Sequence, residues 1–468
     1  MGHLYLSAAH KSSGKTTLSI GLCAALRDGG AVVQPFKKGP DYIDPLWLGQ
    51  AAGRACYNLD FYTMDRAEIS DLFATKMQGA DIGLIEGNKG LYDGLALDGS
   101  NSNAALAAQL GSPIVLVLDS QGMTRGVAPL ILGYQAFDPA IRIVGVILNK
   151  VGGSRHEAKL RAVIEHYTDV QVLGAVQRCE ELVINERHLG LIPSNEVGGS
   201  QGHIERMARL IREQVDLDAV AALAASAPPP SGSVMPEPAA AAAVDRVRIG
   251  YASDSAFGFY YAGDLEALHG AGAELVPFSP LADRELPACD GLFLGGGFPE
   301  THMEALQQNA AMRAAVSAFI ERDGPVYAEC GGLMYLCNSL TWDGKTRKMA
   351  GVIPVEVAMH PKPQGRGYVR LRETPDHPWP LAVDGSEPIS AHEFHYSALA
   401  QVPPGLRFAY RVERGFGLDG AHDGLIYRNL LASYAHLRDT RSHPWAERFV
   451  KFVRVCRDRG SVSRGTGA

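Results

Sequence analysis

Pro325-Val326-Tyr327-Ala328-Glu329-Cys330-Gly331-Gly332-Leu333-Met334-Tyr335-Leu336 is the stretch around which the second half of the chain is organised. A short apolar run ends at Cys330, two glycines follow, and Leu333, Met334 and Leu336 then fall at helical spacing. That pattern is a strand, a sharp turn and a helix, with a thiol at the corner. Such a turn pushes a nucleophile into the open and leaves no room for a Cβ beside it, so glycines follow. The first turn of a helix also favours thiolate over thiol. A buried structural cysteine beside a flexible turn is the plain alternative, and the surrounding order of elements favours a cysteine nucleophile.

The chain has 468 residues, enough for about three domains or two large α/β domains. Hydrophobic residues at 46% and charged residues at 20% describe a soluble protein with ample core. A net charge of −7 supplies no polybasic field for nucleic acid or an anionic membrane. Seven scattered cysteines form no C-x-x-C pair, which argues against a zinc knuckle or disulfide framework and fits a reducing cytoplasm. Neither a signal-peptide pattern nor an apolar run of membrane-spanning length is present, so the expected location is the cytoplasm.

Residues 4–9 read as a buried first strand, followed by His10-Lys11-Ser12-Ser13-Gly14-Lys15-Thr16-Thr17 and a helix through Leu26. A strand, a small-residue loop and a helix opening on Gly-Lys-Thr form a phosphate-binding loop. Its backbone N–H groups and helix dipole hold phosphates, Lys15 neutralises their charge, and the Thr16 hydroxyl can bind Mg²⁺. The first glycine of the usual pattern is Ala9 here. Lys11 is one position away from the second lysine of dimer-sensing partitioning ATPases, which argues against that branch.

Further strands are expected over Val32–Phe36, Asp81–Ile85, Ile114–Asp119, Val144–Asn149 and Gln171–Val176, with a helix over Ser120–Phe137 and another near Ile204–Val215. After the second strand come Asp41, Tyr42 and Asp44, on a loop where doubly wound sheets place ligands; either aspartate could complete a Mg²⁺ shell or polarise a substrate group, or both could simply be solvated. Glu86 ends the third strand as a second metal anchor, and Asn149-Lys150 is an adenine-side pair. Glu186-Arg187-His188-Leu189-Gly190-Leu191 lies beyond the sixth strand. Strands alternating with helices imply a parallel sheet covered on both faces.

Residues 224–245 are rich in proline and alanine and read as a linker. The α/β pattern resumes with strands at Val247–Tyr251, Glu274–Phe278 and Gly291–Leu294 and helices at Tyr260–Gly270 and Met312–Arg322. Gly295-Gly296-Gly297 after a strand frees N–H groups for an oxyanion. His360, His377, His392 and His395 fall in a loop-rich region that pattern does not order. His436 ends an apolar strand, the placement a base for Cys330 needs.

Four segments of this half resemble a class I glutamine amidotransferase domain of the kind attached to enzymes that amidate cobyric and cobyrinic acid. They are Gly295–Glu300, Ala328–Gly332, His392-Glu393-Phe394-His395-Tyr396-Ser397 and Ser433-Tyr434-Ala435-His436. Ser13–Thr17, Phe36–Pro45 and Glu86-Gly87 resemble the ATP domain of the same family, which is related to dethiobiotin synthetase. The whole chain therefore resembles the cobyrinic acid a,c-diamide synthase family. The resemblance implies an amidoligase domain at 1–223, a linker at 224–245, an amidotransferase domain at 246–445, and a C-terminal helix and tail at 446–468.

It also implies roles. Cys330 attacks glutamine, His436 activates the thiol and protonates ammonia, and N–H groups of Gly296 or Gly297 and Gly331 hold the oxyanion. Ser13, Gly14, Lys15, Thr16, Thr17 and Asn149 bind ATP. Thr16, Asp41 and Glu86 hold Mg²⁺, while Asp41, Tyr42, Asp44 and Lys89 face the substrate. ATP and glutamine are co-substrates, and a tetrapyrrole carboxylate becomes an acyl phosphate that ammonia converts to an amide. Ammonia needs a sheltered path, so docked domains are expected, and the resemblance is compatible with a homodimer. Many class I domains carry a glutamate two residues after the histidine, whereas this chain has Arg438, which resembles the dyad usage of the cobyrinic and cobyric branch rather than a full triad.

Glu86-Gly87-Asn88-Lys89-Gly90 and Gly99-Ser100-Asn101-Ser102-Asn103 are more polar than the family's usual loops. That resembles members amidating sirohaem or nickel sirohydrochlorin. A dethiobiotin-synthetase-like carboxylase would ignore glutamine, and a P-loop switch protein would lack an intact thiol site.

Overall fold

The computed structural model describes all residues except 180–183, 185, 188–189, 236–245, 381–386, 402–404 and 466–468. His188 and the second half of the expected linker lie outside the described residues. The chain divides into two compact units, Met1–Met235 and Pro236–Ala468.

The first unit carries strands β1 (Gly2–Ala8), β2 (Val33–Lys38), β3 (Tyr57–Leu59), β4 (Ile82–Glu86), β5 (Ile114–Asp119), β6 (Ile143–Val151) and β7 (Gln171–Gln177). They form one sheet in the order β3-β2-β4-β1-β5-β6-β7, with every pair parallel. The Ile-Val-Leu-Val-Leu run of β5 is buried throughout, as a parallel strand covered on both faces requires. After β1 the chain moves to one side of the sheet, and after β4 it crosses to the other. The carboxyl end of β1 is therefore where a crevice opens.

Helices α1 (Lys15–Asp28), α2 (Ile43–Ala52), α3 (Arg66–Lys76), α4 (Asn103–Leu110), α5 (Val127–Phe137), α6 (Ser154–Tyr167), α7 (Ser200–Gln214) and α8 (Leu217–Ala225) connect and cover these strands. The helix expected from Ser120 starts only at Val127, because Gly122 takes φ 71° and turns the chain first. Residues past α8 do not leave the unit at once: Ser233 N–H donates to Asp71 Oδ1 at 2.7 Å and Met235 N–H to Thr75 Oγ1 at 2.8 Å, both on α3. Part of the expected linker is thus held along α3. Glu186–Arg187 (β8) and Gly190–Leu191 (β9) pair as a short antiparallel ribbon.

In the second unit, strands β10 (Val247–Ala252), β11 (Phe257–Phe259), β12 (Ala273–Phe278), β13 (Gly291–Leu294), β14 (Gly296–Gly297) and β15 (Val326–Glu329) lead to the thiol turn. After it come β16 (Cys337–Trp342), β17 (Lys345–Lys348), β18 (Ile353–Met359), β19 (Gly365–Glu373), β20 (Ile389–His395), β21 (Ser397–Leu399), β22 (Arg407–Arg414), β23 (His422–Tyr427) and β24 (Leu430–Ser433). The main sheet runs β12-β10-β13-β15-β24-β23-β22-β19-β20. Its first five strands are parallel and the remainder antiparallel.

Helices α9 (Ala262–Gly270), α10 (Met303–Gln308), α11 (Ala310–Glu321), α12 (Gly331–Leu336) and α13 (Trp445–Gly465) complete the unit. Phe293, Tyr327, Trp379, Trp445 and Phe449 form a fully buried aromatic layer that docks α13 onto the sheet. Aromatic groups of this size dominate core energetics, so α13 is integral to the unit.

Candidate active site

Adjacent strands β15 and β24 run parallel with Glu329 opposite Ser433. Cys330 follows β15 and takes φ 46°, ψ −99°, a conformation rare for a residue with a Cβ. Such strain costs roughly 1–3 kcal/mol and persists where its surroundings fix it. The fixing contacts are the Cys330 N–H donated to Ser433 O at 2.7 Å and the Met334 N–H donated to Cys330 O at 3.0 Å. Cys330 is 7% exposed and lies at the amino end of α12, as the sequence pattern requires.

His436 sits three residues beyond β24. Its backbone is tied in both directions to His392, with N···O distances of 2.7 and 3.2 Å. Its ring hydrogen-bonds the Cys330 side chain, and Nδ1 lies 3.1 Å from Glu329 Oε2. Burial would lower the His436 pKa, but the hydrogen bonds and charges of Cys330 and Glu329 overcome it and raise it to about 10. The arrangement therefore favours an imidazolium beside Cys330.

The glycine loop closes the site. A side chain at Gly296 would strike the His436 ring 2.6 Å from Cε1, so only glycine fits this approach. Gly297 N lies 3.0 Å from where a Gly331 Cβ would begin, which brings both backbones together beside Cys330. Among the other histidines, His395 stacks on Tyr434 at 3.8 Å and His377 meets the Tyr410 hydroxyl at 3.1 Å. Both belong to the packed interior.

In the first unit, Gly14 takes φ 87° and caps α1, and a Cβ there would fall 2.1 Å from Asn149 Nδ2. Asn149 Nδ2 donates to Ser13 O at 2.8 Å, so Asn149 braces the phosphate loop while lining a cavity of about 690 Å³. Gly14, Thr16, Thr17, Asn149, Gln177 and Ile184 are among its walls. Ser13 Oγ donates to His10 O at 2.8 Å within the loop itself. Lys15 Nζ donates to Lys89 O at 2.5 Å, and burial lowers its pKa to about 8.

The acidic pair differs from expectation. Thr16 Oγ1 donates to Glu86 Oε1 at 2.7 Å and to Asp44 Oδ2 at 3.2 Å. Asp41 Oδ1 instead accepts the N–H groups of Ile43 and Asp44 at 2.9 and 3.0 Å, opening α2. Burial and the Asp44 charge raise its pKa to about 7. Asp44, one helical turn along, is the carboxylate that joins Thr16 and Glu86. Sequence reading also missed Lys37, whose buried ammonium lies 2.5 Å from Asp44 Oδ2 and 2.9 Å from Glu86 Oε1. Glu86 Oε2 is buried without a hydrogen bond.

These hard oxygen donors suit Mg²⁺, which uses one or two carboxylates and completes its shell with water and phosphate. Among the described residues no three His, Cys, Asp or Glu side chains form an all-protein metal site. Tyr42 is buried at the start of α2, and Lys89 is exposed with φ 43°.

The two units match two known sequence families. Residues 8–191 match the CobQ/CobB/MinD/ParA nucleotide binding domain, and residues 248–442 match the CobB/CobQ-like glutamine amidotransferase domain. A cobyrinate a,c-diamide synthase of Magnetococcus marinus is 49% identical over 98% of each chain. The chain belongs to the cobyrinate a,c-diamide synthase family. It is a glutamine-dependent amide-forming ligase. Cobyrinate a,c-diamide synthases of Methanosarcina acetivorans (41% identity, covering 92% of this chain and 91% of that one) and Listeria monocytogenes (37%, 93% and 96%) are similar along nearly their whole length. Among the described residues, no helix is long and apolar enough to cross a membrane.

Proposed function

We propose that the chain amidates the a and c side-chain carboxylates of a cobyrinic-acid-type corrin, using ATP and glutamine. The observation that carries this reading is the presence, in one chain, of a phosphate loop beside Thr16, Asp44 and Glu86 and of a Cys330–His436 pair. Relatives named as cobyrinate a,c-diamide synthases at up to 49% identity favour a corrin over sirohaem.

At the thiol site, the Cys330 thiolate attacks the glutamine carboxamide carbon and forms a C–S bond. Gly296 or Gly297 and Gly331 N–H groups hold the oxyanion. His436 gives its proton to the departing nitrogen, releasing ammonia. Water then attacks the thioester with His436 as base, freeing glutamate and regenerating Cys330.

At the ATP site, a substrate carboxylate oxygen takes the γ-phosphoryl group, releasing ADP. Ammonia then attacks the acyl carbon, phosphate leaves, and an amide remains. Lys15 and the Gly14 turn hold the phosphates, and Thr16, Asp44 and Glu86 would hold Mg²⁺, which neutralises phosphate charge when bound. Lys37 sits where it can transfer its positive charge from the carboxylates to the incoming anion. Exposed Leu95 and Leu97, on a loop pinned by Asn101 Oδ1 to the N–H groups of Leu95 and Ala96, offer apolar contact for a macrocycle. The exposed Lys89 suits a carboxylate on its rim.

The test incubates the protein with ATP, Mg²⁺ and glutamine, separately with cobyrinic acid and with sirohaem, and reads products by mass spectrometry. Two carboxylate-to-amide conversions on cobyrinic acid are expected. Conversion of sirohaem alone overturns the substrate, and conversion of neither overturns the reading.

A further inference from the structure

Arg438 occupies the position, two residues past His436, where many class I glutamine amidotransferases place a carboxylate. Its guanidinium lies over the Tyr261 ring at 4.5 Å, with Nε 3.9 Å from Asp264 Oδ1. The position that carries that carboxylate elsewhere therefore holds a cation here. The carboxylate that reaches the imidazole is instead Glu329, at the last position of β15, directly before the nucleophile.

Glu329 is 3% exposed, and both its oxygens are engaged. Oε2 lies 3.1 Å from His436 Nδ1, while Oε1 accepts the Leu437 N–H at 3.0 Å and the Tyr327 hydroxyl at 2.6 Å. Tyr327 and Glu329 are two apart on β15 and share a face, so the strand itself aims this carboxylate. Tyr327 in turn is packed against Phe293, Trp379 and Trp445. A buried carboxylate with each oxygen fixed and one aimed at an imidazole nitrogen is arranged to orient that ring.

We propose that Glu329 is the positioning residue of the thiol site and stands in for the carboxylate missing at position 438. It holds His436 with Nδ1 protonated and Nε2 directed at Cys330, and it stabilises the imidazolium paired with the thiolate. The proton given to the departing nitrogen comes from His436 Nε2, and the one taken from water returns there. His392, whose ring lies close enough for His436 to influence it electrostatically, the Asp264–Arg438 pair, and the Tyr260 and Tyr410 hydroxyls, which feel the Glu329 charge, are the other charged or titratable groups described around this set.

The inference rests on Cys330 being the glutaminase nucleophile, and its test does not need the tetrapyrrole. Glu329→Gln and the shorter Glu329→Asp are compared with the wild type in glutamine hydrolysis, in the pH profile of Cys330 alkylation by iodoacetamide, and in thermal unfolding. Glu329→Gln is expected to lower kcat for glutamine hydrolysis roughly 10²- to 10⁴-fold, as for other displaced triad carboxylates, with KM changed far less. Its alkylation profile should move to higher pH, and Glu329→Asp should recover part of both effects. Hydrolysis within threefold of wild type and an unmoved alkylation profile in a folded Glu329→Gln protein would overturn the proposal. If the wild type does not hydrolyse glutamine, the glutaminase reading fails, while the alkylation profile still decides whether Glu329 governs the Cys330–His436 pair.

Discussion

The Cys330 N–H donates to the Ser433 carbonyl at 2.7 Å, joining the ends of two neighbouring parallel strands. This one contact fixes the nucleophile to the segment that carries the base, three residues further on. The parallel register of β15 and β24 thus brings together residues more than a hundred positions apart in sequence.

Asp423 holds that segment from behind. Its buried carboxylate accepts the N–H groups of Gly424, Tyr434 and Ala435 at 2.8, 3.0 and 2.9 Å and the Ser433 hydroxyl at 3.2 Å. Asp423→Asn keeps the shape but replaces one acceptor oxygen with a donor. A loss of about 1–3 kcal/mol is expected in urea unfolding, with weaker glutamine hydrolysis. Unchanged stability would show that the carboxylate is not what holds the turn.

Gly14→Ala places a methyl group against Asn149 in a backbone conformation that alanine disfavours. A strain of roughly 1–3 kcal/mol should reduce ATP-dependent amidation about tenfold to hundredfold. Glutamine hydrolysis in the same protein should persist, because Cys330 and His436 belong to the other unit. Parallel loss of both activities would contradict that division.

Lys37 keeps Asp44 and Glu86 from facing each other as two buried, uncompensated charges. Removing one member of a buried ion-pair set costs about 3–5 kcal/mol, so Lys37→Ala should unfold well below the wild type. Mg²⁺ should raise its melting temperature more than it raises that of the wild type. Equal Mg²⁺ effects in both proteins would argue that Thr16, Asp44 and Glu86 are not the cation's ligands.

Stability of the second unit should fall on both sides of about pH 6.5. Burial, with Arg448 nearby, lowers the pKa of His377 and of His443 to about 3. The unfolded chain takes up protons there that the folded chain refuses, so stability declines as pH drops from about 6.5 toward 3. His436, raised to about 10, acts in the opposite sense. Its contribution is complete below about 6.5 and is lost as pH rises toward 10. Thermal midpoints across this range check both limbs, and His443→Phe should flatten only the acid one.

Most parallel strands of both units were legible because strands buried on two faces read as unbroken apolar runs, Ile114–Leu118 above all. Cys330, His436 and the Gly14-Lys15-Thr16 turn were legible because glycines and strand ends punctuate them. Glu329 was not, since one acidic residue at the end of an apolar strand carries no sign of where its oxygens point. Its signals were a place inside the Ala328–Gly332 segment and an ionisable side chain where the pattern calls for burial. Asp41 and Asp44 could not be told apart by spacing, because only the start of α2 decides which one accepts the N–H groups of Ile43 and Asp44 and which one reaches Thr16 and Lys37. The antiparallel strands β19, β20 and β22 escaped ordering because β19 lies between β20 and β22 in the sheet, an order that apolar runs do not encode.

The most direct measurement follows nitrogen from glutamine into product. The wild type and Cys330→Ala are each given cobyrinic acid, ATP, Mg²⁺ and either amide-¹⁵N-glutamine or ammonium, with products read by mass spectrometry. The wild type should place ¹⁵N in both new amides, whereas Cys330→Ala should form them from ammonium and none from glutamine. Labelled amides made by Cys330→Ala from glutamine would contradict the assignment of Cys330 as the source of ammonia.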